Sequence, residues 1–473
     1  MGEDDESVNK QALFDSIATS RAWCRFESSY YHRHLGEYLR FLIPENASVL
    51  EIGCAGGERL AALKPRRGVG IDFSPKAIEA ARRNFPHLDF FAQDIDCLEC
   101  PETFDYVVVN NVIGYADDLQ KAFRRIKKVC RPQTKVILIY HSHLWRPFLR
   151  VAGWLGARRK WPQQHWLARK DIENLLYLED FVVVRRAQRF LAPFYIPFVA
   201  EFFNKYLVHI PGLRDMALDH ILIVKPEGPR GIQEDVSVSV VVPCRNEKGN
   251  IEQIITRTPK MGKRTEIIFV EGHSRDGTLQ ECYRLKKVYA DKDIKVLAQK
   301  GEGKGDAVRE GFAAASGDVL MILDADLTVP PEDLEGFYNA LVSGKGEFIN
   351  GSRLVYQMEK EAMRFLNMMA NKFFSVMLTY LLGQYLKDTL CGTKVLWRED
   401  YHKIEQGRGY FGDFDPFGDF DLLFGAAKLN LKIVEIPVHY KPRVYGTTQI
   451  RRFEHGWLLL KMTVFAMRKI KFV

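Results

Sequence analysis

"LMILDADLTVPPEDL", residues 320–334, sets the problem from which the rest of the chain can be read. Val319-Leu320-Met321-Ile322-Leu323 is an unbroken apolar run, which reads as a strand buried in a sheet. It leads directly into two carboxylates one residue apart, Asp324 and Asp326, and then into Pro330-Pro331. In open α/β sheets the carboxyl ends of strands are where ligands bind. Capping a helix that opens on proline accounts for one acid and leaves the other without a task. Two neighbouring acids repel unless a cation or hydrogen-bond donors hold them, which points to a divalent metal.

Further strand-like runs flank this one, each separated by a helical stretch. They are "VSVSVVVP" (236–243), "EIIFVEG" (266–272), "KVLAQ" (295–299) and "KIVEIPV" (432–438). A second series fills the first half: "SVLEIG" (48–53), "GVGID" (68–72), "DFFAQD" (89–94), "FDYVVVN" (104–110) and "KVILIYH" (135–141). "DFVVVRR" (180–186) and "HILIVKP" (220–226) complete it. Alternation of this kind predicts two α/β domains, each a mainly parallel sheet with helices on its faces. "KPEGPRGIQED" (225–235) is polar and rich in Pro and Gly, so the domains are set at 1–229 and 236–473 with a linker at 230–235.

Length agrees, since 473 residues exceed what one core usually serves. Hydrophobic content of 47% and charge of 27% are those of an ordinary globular protein. The net charge of +8 permits an anionic ligand or membrane surface and does not call for nucleic acid. Eight cysteines lack framework spacing, and the single C-x-x-C at Cys97 and Cys100 has no second pair to make a zinc site. The opening "MGEDDESVNK" is acidic and has neither a secretory nor a myristoylation pattern, which predicts a cytoplasmic protein. No apolar run approaches the ~20 residues of a spanning helix.

In the first half, "VLEIGCAGG" (49–57) is a strand followed by a glycine-rich turn, where Gly53, Gly56 and Gly57 admit close approach of a ligand. The next strand ends in Asp72, placed to accept from both hydroxyls of a ribose. The third ends in "AQDID", with Asp94 toward an adenine amino group. On these three strand ends, residues 40–226 resemble the class I S-adenosylmethionine-dependent methyltransferases, and 104–141 resembles that family's fourth strand, helix and fifth strand. The resemblance implies a Rossmann-like sheet binding S-adenosylmethionine. Glu51, Gly53, Ala55 and Gly57 would lie by the methionine part and the turn, Asp72 at the ribose, and Asp94, Ile95 and Asn110 beside the remainder. Ala55 departs from the family's middle glycine. His141 and His143, beyond the fifth strand, either face the methyl acceptor or serve packing and surface.

The second half supplies "VSVVVPCRNEKGNI" (238–251), "FVEGHSRDGT" (269–278) and the basic, glycine-rich loop "KGEGKGD" (300–306) ahead of the paired aspartates. In this order the motifs resemble family 2 glycosyltransferases, in particular the dolichyl-phosphate mannose synthase type, whose GT-A fold is an α/β/α sandwich. The resemblance implies a nucleotide-sugar donor held by Pro243, Arg245, Glu247, Glu271 and Lys304, with Asp324 and Asp326 as a D-x-D motif. Mg²⁺ or Mn²⁺ there would neutralise a diphosphate leaving group, hard cations preferring oxygen ligands.

Two acceptors stay open. An ionised lipid phosphate needs basic residues, and the resemblance implies Arg353 of "GSR", Arg364 and Arg443 of "RVYGTTQ". A saccharide hydroxyl needs a carboxylate base, for which "FGDFDLLFGAAK" (417–428) offers Asp419 and Asp421; either of these serves equally as a helix cap. Cys391, Lys394, Gln449 and Thr328 depart from the lipid-phosphate pattern. The tail 441–473, basic and amphipathic, suits peripheral contact with an anionic membrane at its cytoplasmic face, or a packed helix with a solvated side. No aromatic-basic motif favours nucleic acid.

Overall fold

The computed structural model describes residues 11–12, 14–16, 30–154, 164–193, 195–230, 235–353, 365–410, 418–443, 445 and 452–472. The chain divides into two compact units, Met1–Glu227 with Lys471–Val473, and Gly228–Ile470.

The first unit is a seven-stranded sheet of β1 (Ser48–Ile52), β2 (Arg67–Asp72), β3 (Asp89–Ala92), β4 (Phe104–Asn110), β5 (Cys130–His141), β6 (Phe181–Arg189) and β7 (Asp219–Pro226). Their order is β3-β2-β1-β4-β5-β7-β6. β1 to β5 run parallel, with Leu50 paired to Val69 on one side and Val107 on the other. β7 enters antiparallel between β5 and β6, an edge arrangement common on otherwise parallel sheets. Every residue of β1 and all but one of β4 are buried, because helices cover both faces. Leu50, Val107, Leu138 and Leu222 form the centre of this core.

The second unit has its own sheet: β8 (Ser237–Cys244), β9 (Arg264–Glu271), β10 (Asp293–Ala298), β11 (Val319–Ile322), β12 (Phe348–Ser352), β13 (Lys394–Trp397) and β14 (Ile433–Pro437). The order is β10-β9-β8-β11-β13-β12-β14. β13 is antiparallel to both neighbours, and the remaining pairs are parallel. β12 and β13 were not expected from the sequence. They are short, and their buried Asn350, Gly351 and Lys394 interrupt the apolar pattern that announces a strand. Val240, Phe269, Met321 and Val395, all fully buried, centre the core; burying one such side chain contributes about 1.5–3 kcal/mol.

Beyond β12 a buried ion pair ties the sheet to the loop that precedes β13. Arg353 donates from Nε and Nη2 to the two oxygens of Asp388, at 2.7 and 2.8 Å, and its backbone N–H donates to the same carboxylate. Asn371 and the Leu390 N–H also donate to Asp388. Burial pushes that carboxyl up, but Arg353 and these donors outweigh it and bring it down to about 2.

Asp388→Asn leaves Arg353 buried without its counter-charge and is expected to destabilise the second unit by roughly 3–5 kcal/mol. Hydrogen exchange at β12 and β13 amides during a urea titration measures the loss. Because the folded group titrates below its ordinary 3.8, its contribution is complete above about pH 4 and disappears as pH falls through about 2. The wild-type–variant gap must therefore close on acidification and not on alkalinisation.

Candidate active sites

In the first unit the site gathers where β1, β2 and β4 end. Gly53 follows β1 with φ +80°, and a Cβ there would lie 2.5 Å from Val112 Cγ1 and 2.8 Å from the Asn110 carbonyl oxygen, so only glycine fits. Gly57 caps the helix Glu58–Ala62. Ala55 takes φ +48° and its N–H donates to Asp72 Oδ2 at 3.0 Å. Asp72 Oδ1 accepts from the Ser74 N–H at 2.9 Å. Burial pushes the Asp72 carboxyl up against the pull of these two N–H groups. Thus the acid expected at a ribose also holds the glycine turn to the end of β2.

Arg59 is the hub of this site, and the sequence reading did not include it. Its Nε donates to the buried Glu51 Oε1 at 3.0 Å and its Nη2 to the Gly53 carbonyl at 3.2 Å. With its amide oxygen turned to the guanidinium, Asn110 accepts from Nη2 at 2.6 Å. Glu51, Gly53 and Asn110 are thereby brought together. The only signal was an arginine eight residues past Glu51, in the helix that follows the turn. Burial raises Glu51, with Arg59 opposing, and Glu51 Oε2 is buried without a partner among the described residues. Asp94 stands apart at the end of β3, where its Oδ1 caps the 3₁₀ turn Ile95–Cys97 by accepting from the Asp96 N–H. Phe14 packs edge-on against Phe73 and Tyr115, at 4.7 and 5.4 Å between centroids, beside the Asp72 turn. Positive-φ turns, a buried orphan oxygen and a half-buried acid suit the donor chemistry of a nucleoside cofactor with a charged tail.

In the second unit the paired aspartates lie just past β11, and each carries its own cation. Lys304, first residue of the helix Lys304–Ala314, sits 2.5 Å from Asp324 Oδ1. Arg443 donates from Nη2 to Asp326 Oδ2 at 2.8 Å and from Nη1 to Glu247 Oε1 at 2.9 Å. The other Asp326 oxygen accepts from the Thr328 hydroxyl and N–H, at 2.7 and 3.1 Å, which gives Thr328 a task at the motif. Burial pushes Asp324 up, but Lys304, Lys394 and Arg353 hold it below the usual carboxylate range. Glu247, with burial raising it, Arg443 lowering it and Asp326 raising it, stands at about 7. Gly392, from "DTLCGTK", backs onto this pair: a Cβ there would collide with Asp324 Oδ2 and Lys304 Nζ.

Segment Lys441–Arg443 and Tyr445 cross the site. The Lys441 N–H donates to the Thr328 carbonyl at 2.9 Å, and Tyr445 Oη donates to Asp276 Oδ2 at 3.3 Å. Glu247, Asp326 and Arg443 are thus one cluster, and Lys304 and Asp324 a second beside it. Of the other expected residues, Arg353 reaches the site through its charge on Asp324. Pro243 lies in β8, Arg245 is exposed, and Glu271 accepts from the Ser274 N–H at 2.5 Å. Arg353 is engaged by Asp388, and Asp421 accepts from Arg408 Nε at 2.8 Å. Arg364 lies outside the described residues, as does the side chain of Asp419.

Two carboxylates satisfy what Mg²⁺ typically asks of a protein when phosphate oxygens complete its shell. Among the described residues no cluster of three or more His, Cys, Asp or Glu is arranged to hold a metal alone. Asp324 and Asp326 are the two carboxylates that would hold a divalent ion if a diphosphate completed its shell in place of Lys304 and Arg443.

The family Methyltransferase domain matches residues 26–185, and Glycosyl transferase family 2 matches residues 239–405. The chain is 36% identical over 112 residues to the dolichol-phosphate mannosyltransferase of Saccharomyces cerevisiae, which covers 22% of this chain and 41% of that one. To the dolichol-phosphate mannosyltransferase of Pyrococcus furiosus it is 29% identical over 221 residues, 46% of this chain and 60% of the relative. It therefore spans less than two thirds of either relative. Among solved structures, N-methyltransferase NodS of Bradyrhizobium japonicum in complex with S-adenosyl-L-homocysteine is 19% identical, with 46% of this chain and 98% of that one covered and a TM-score of 0.35. The chain therefore carries a methyltransferase domain over residues 26–185 followed by a family 2 glycosyltransferase domain over residues 239–405, the second similar in sequence to dolichol-phosphate mannosyltransferases.

Proposed function

We propose that the protein is a bifunctional transferase of glycan or glycolipid synthesis, passing a sugar from a nucleotide donor to a lipid phosphate and a methyl group from S-adenosylmethionine to a separate acceptor. The observation that carries the sugar reading is the balance at the D-x-D motif, where Lys304 and Arg443 each neutralise one aspartate. Asp324 and Asp326 would hold Mg²⁺ or Mn²⁺, which when bound supplies positive charge to a departing diphosphate. Glu247 and Glu271 would hold the nucleoside, and Lys304 would approach the diphosphate.

Three features favour the ionised acceptor over a saccharide hydroxyl. Asp421, the one described candidate for a base, is occupied by Arg408. An ionised phosphate needs no base, and Arg443 supplies a cation at the site. The helix Phe365–Leu382 exposes Met369, Phe373 and Val376, and the helix Arg452–Ile470 packed against it exposes Trp457 and Val464. That apolar surface supports peripheral contact with lipid at the cytoplasmic face. Among the described residues no helix is long and apolar enough to cross a membrane. Arg353, engaged by Asp388, serves by shaping the loop behind the site.

Asp326→Ala is expected to lower sugar transfer from GDP- and UDP-sugars to a membrane lipid extract by roughly 10²–10³-fold, the scale of losing an electrostatic stabiliser. The same variant should lose calorimetric heat from Mn²⁺ added with GDP or UDP, while S-adenosylmethionine binding stays at the wild-type value. Full turnover in the variant, or in EDTA, refutes the metal role. For the other half, Asp72→Ala should weaken S-adenosylmethionine by about tenfold or more, since a hydrogen bond to a charged group contributes about 1.5–3 kcal/mol; equal affinity removes Asp72 from the ribose. Phe373→Ser with Trp457→Ser should reduce sedimentation with phosphatidylglycerol-containing vesicles by roughly tenfold or more, from lost apolar burial. Unchanged sedimentation rules out lipid contact through these helices.

A further inference from the structure

"FLAPFYIPFVAEFF", residues 190–203 of the first unit, is apolar except for Glu201, yet the fold leaves much of it in the open. Phe198 is 89% exposed, and Tyr195, Ile196, Phe202 and Phe203 are exposed with it. The completely buried Ala200 anchors the inner side of the short helix Val199–Lys205. Behind that helix the loop is clasped by Asn204, whose Nδ2 donates to the Ala192 carbonyl at 2.6 Å and whose Oδ1 accepts from the Ala192 N–H at 2.9 Å. The Tyr195 ring packs on Tyr30, 5.6 Å between centroids. The base of the loop thus holds its apolar tip outward. Phe198 also takes φ +60°, a left-handed conformation rare for a bulky side chain. Neither packing nor backbone preference accounts for a phenylalanine there, and such outliers gather at functional positions.

A second apolar strip adjoins the first. The helix Arg146–Trp154 exposes Phe148 and Val151, and just before it Trp145 Nε1 donates to the Met216 carbonyl at 2.7 Å. Met216 is itself exposed and closes the turn Leu213–Met216, which packs through the turn Leu207–His209 onto the helix Val199–Lys205. Soluble monomers rarely leave so many large apolar side chains side by side, so the surface is built for a partner.

Charge selects that partner. Arg146, Arg150 and Lys205 are exposed along the two strips, with Arg214 half-buried among them. The acids of the same segments are Glu201 and Asp215, and Asp215 lies 3.8 Å from Arg169. No Asp or Glu occurs in the sequence between Asp118 and Asp171. Rings projecting from a helix and flanked by cations match an anionic bilayer, whose acyl boundary takes the rings and whose headgroups take the cations. A second copy of this chain fits worse, because an isologous contact would bring two positive patches together.

We propose that this surface of the methyltransferase unit docks on an anionic membrane, with Phe198 and Phe202 entering the acyl boundary and Arg146, Arg150 and Lys205 at the headgroups. It is a different surface from that of the helices Phe365–Leu382 and Arg452–Ile470, and it rests on the first unit alone.

The test uses the full chain with phosphatidylcholine vesicles, with and without phosphatidylglycerol. Phe198→Ser with Phe202→Ser is expected to lower partition onto the phosphatidylglycerol-containing vesicles by roughly tenfold or more, from lost apolar burial. Arg146→Gln with Arg150→Gln should lower it by about tenfold or more, and high salt should abolish that difference. In Phe198→Trp the added fluorescence should be quenched by brominated acyl chains, a readout that stands even where the serine pair lowers the thermal midpoint. Unquenched fluorescence at position 198, or wild-type partition in the serine pair, overturns the docking surface. A wild-type dimer in sedimentation equilibrium that the serine pair dissociates, with vesicle partition unchanged, overturns it in favour of self-association. Wild-type partition in Phe373→Ser with Trp457→Ser, beside a fall in the first-unit variants, removes lipid contact from the second unit and leaves this surface standing.

Discussion

Charge neutralisation at the carboxyl ends of β8 and β11 is the constraint on which the sugar-transfer half depends. Three acids, Glu247, Asp324 and Asp326, converge where the strands stop, and Lys304 and Arg443 offset them. Without those cations the acids would repel, and the loops bearing them would have no reason to close on one another. Arg443 does the most, because its fork spans two acids from different loops.

The methyltransferase half solves a related problem with fewer charges. Arg59 joins Glu51, the Gly53 carbonyl and Asn110, so one guanidinium sets the spacing between the ends of β1 and β4. Asp72 does the same between β1 and β2 through the Ala55 N–H. The positions that would meet the cofactor are therefore also the positions that hold the strand ends in register. Binding and local architecture would share the same atoms.

Much of this was legible in the residues. Long apolar runs such as "DYVVVN" and "VLMILD" declare central strands, and the acids just past the second run do gather with cations in the fold. β12 and β13 escaped because Asn350 and Lys394 are buried polar residues that break the apolar pattern: Asn350 donates to the Asp388 carbonyl, 38 positions away, and Lys394 to that of Cys391 in the turn just before β13. The antiparallel entry of β7 is likewise invisible in composition. Among site residues, Arg59 and Gly392 were missed because their roles exist only through tertiary neighbours. Arg353 was expected at an acceptor, and the carboxylate that engages it, Asp388, stands 35 positions away.

Arg443 reaches Asp326 across 117 residues and Glu247 across 196. On the ribosome the acids of β8 and β11 are therefore made long before the cation that reconciles them. Until that arginine emerges, Glu247 and Asp326 lie at the sheet edge without the cation that later bridges them, so the pace of synthesis, and not the far faster closure of the loop, sets when the two loops are joined.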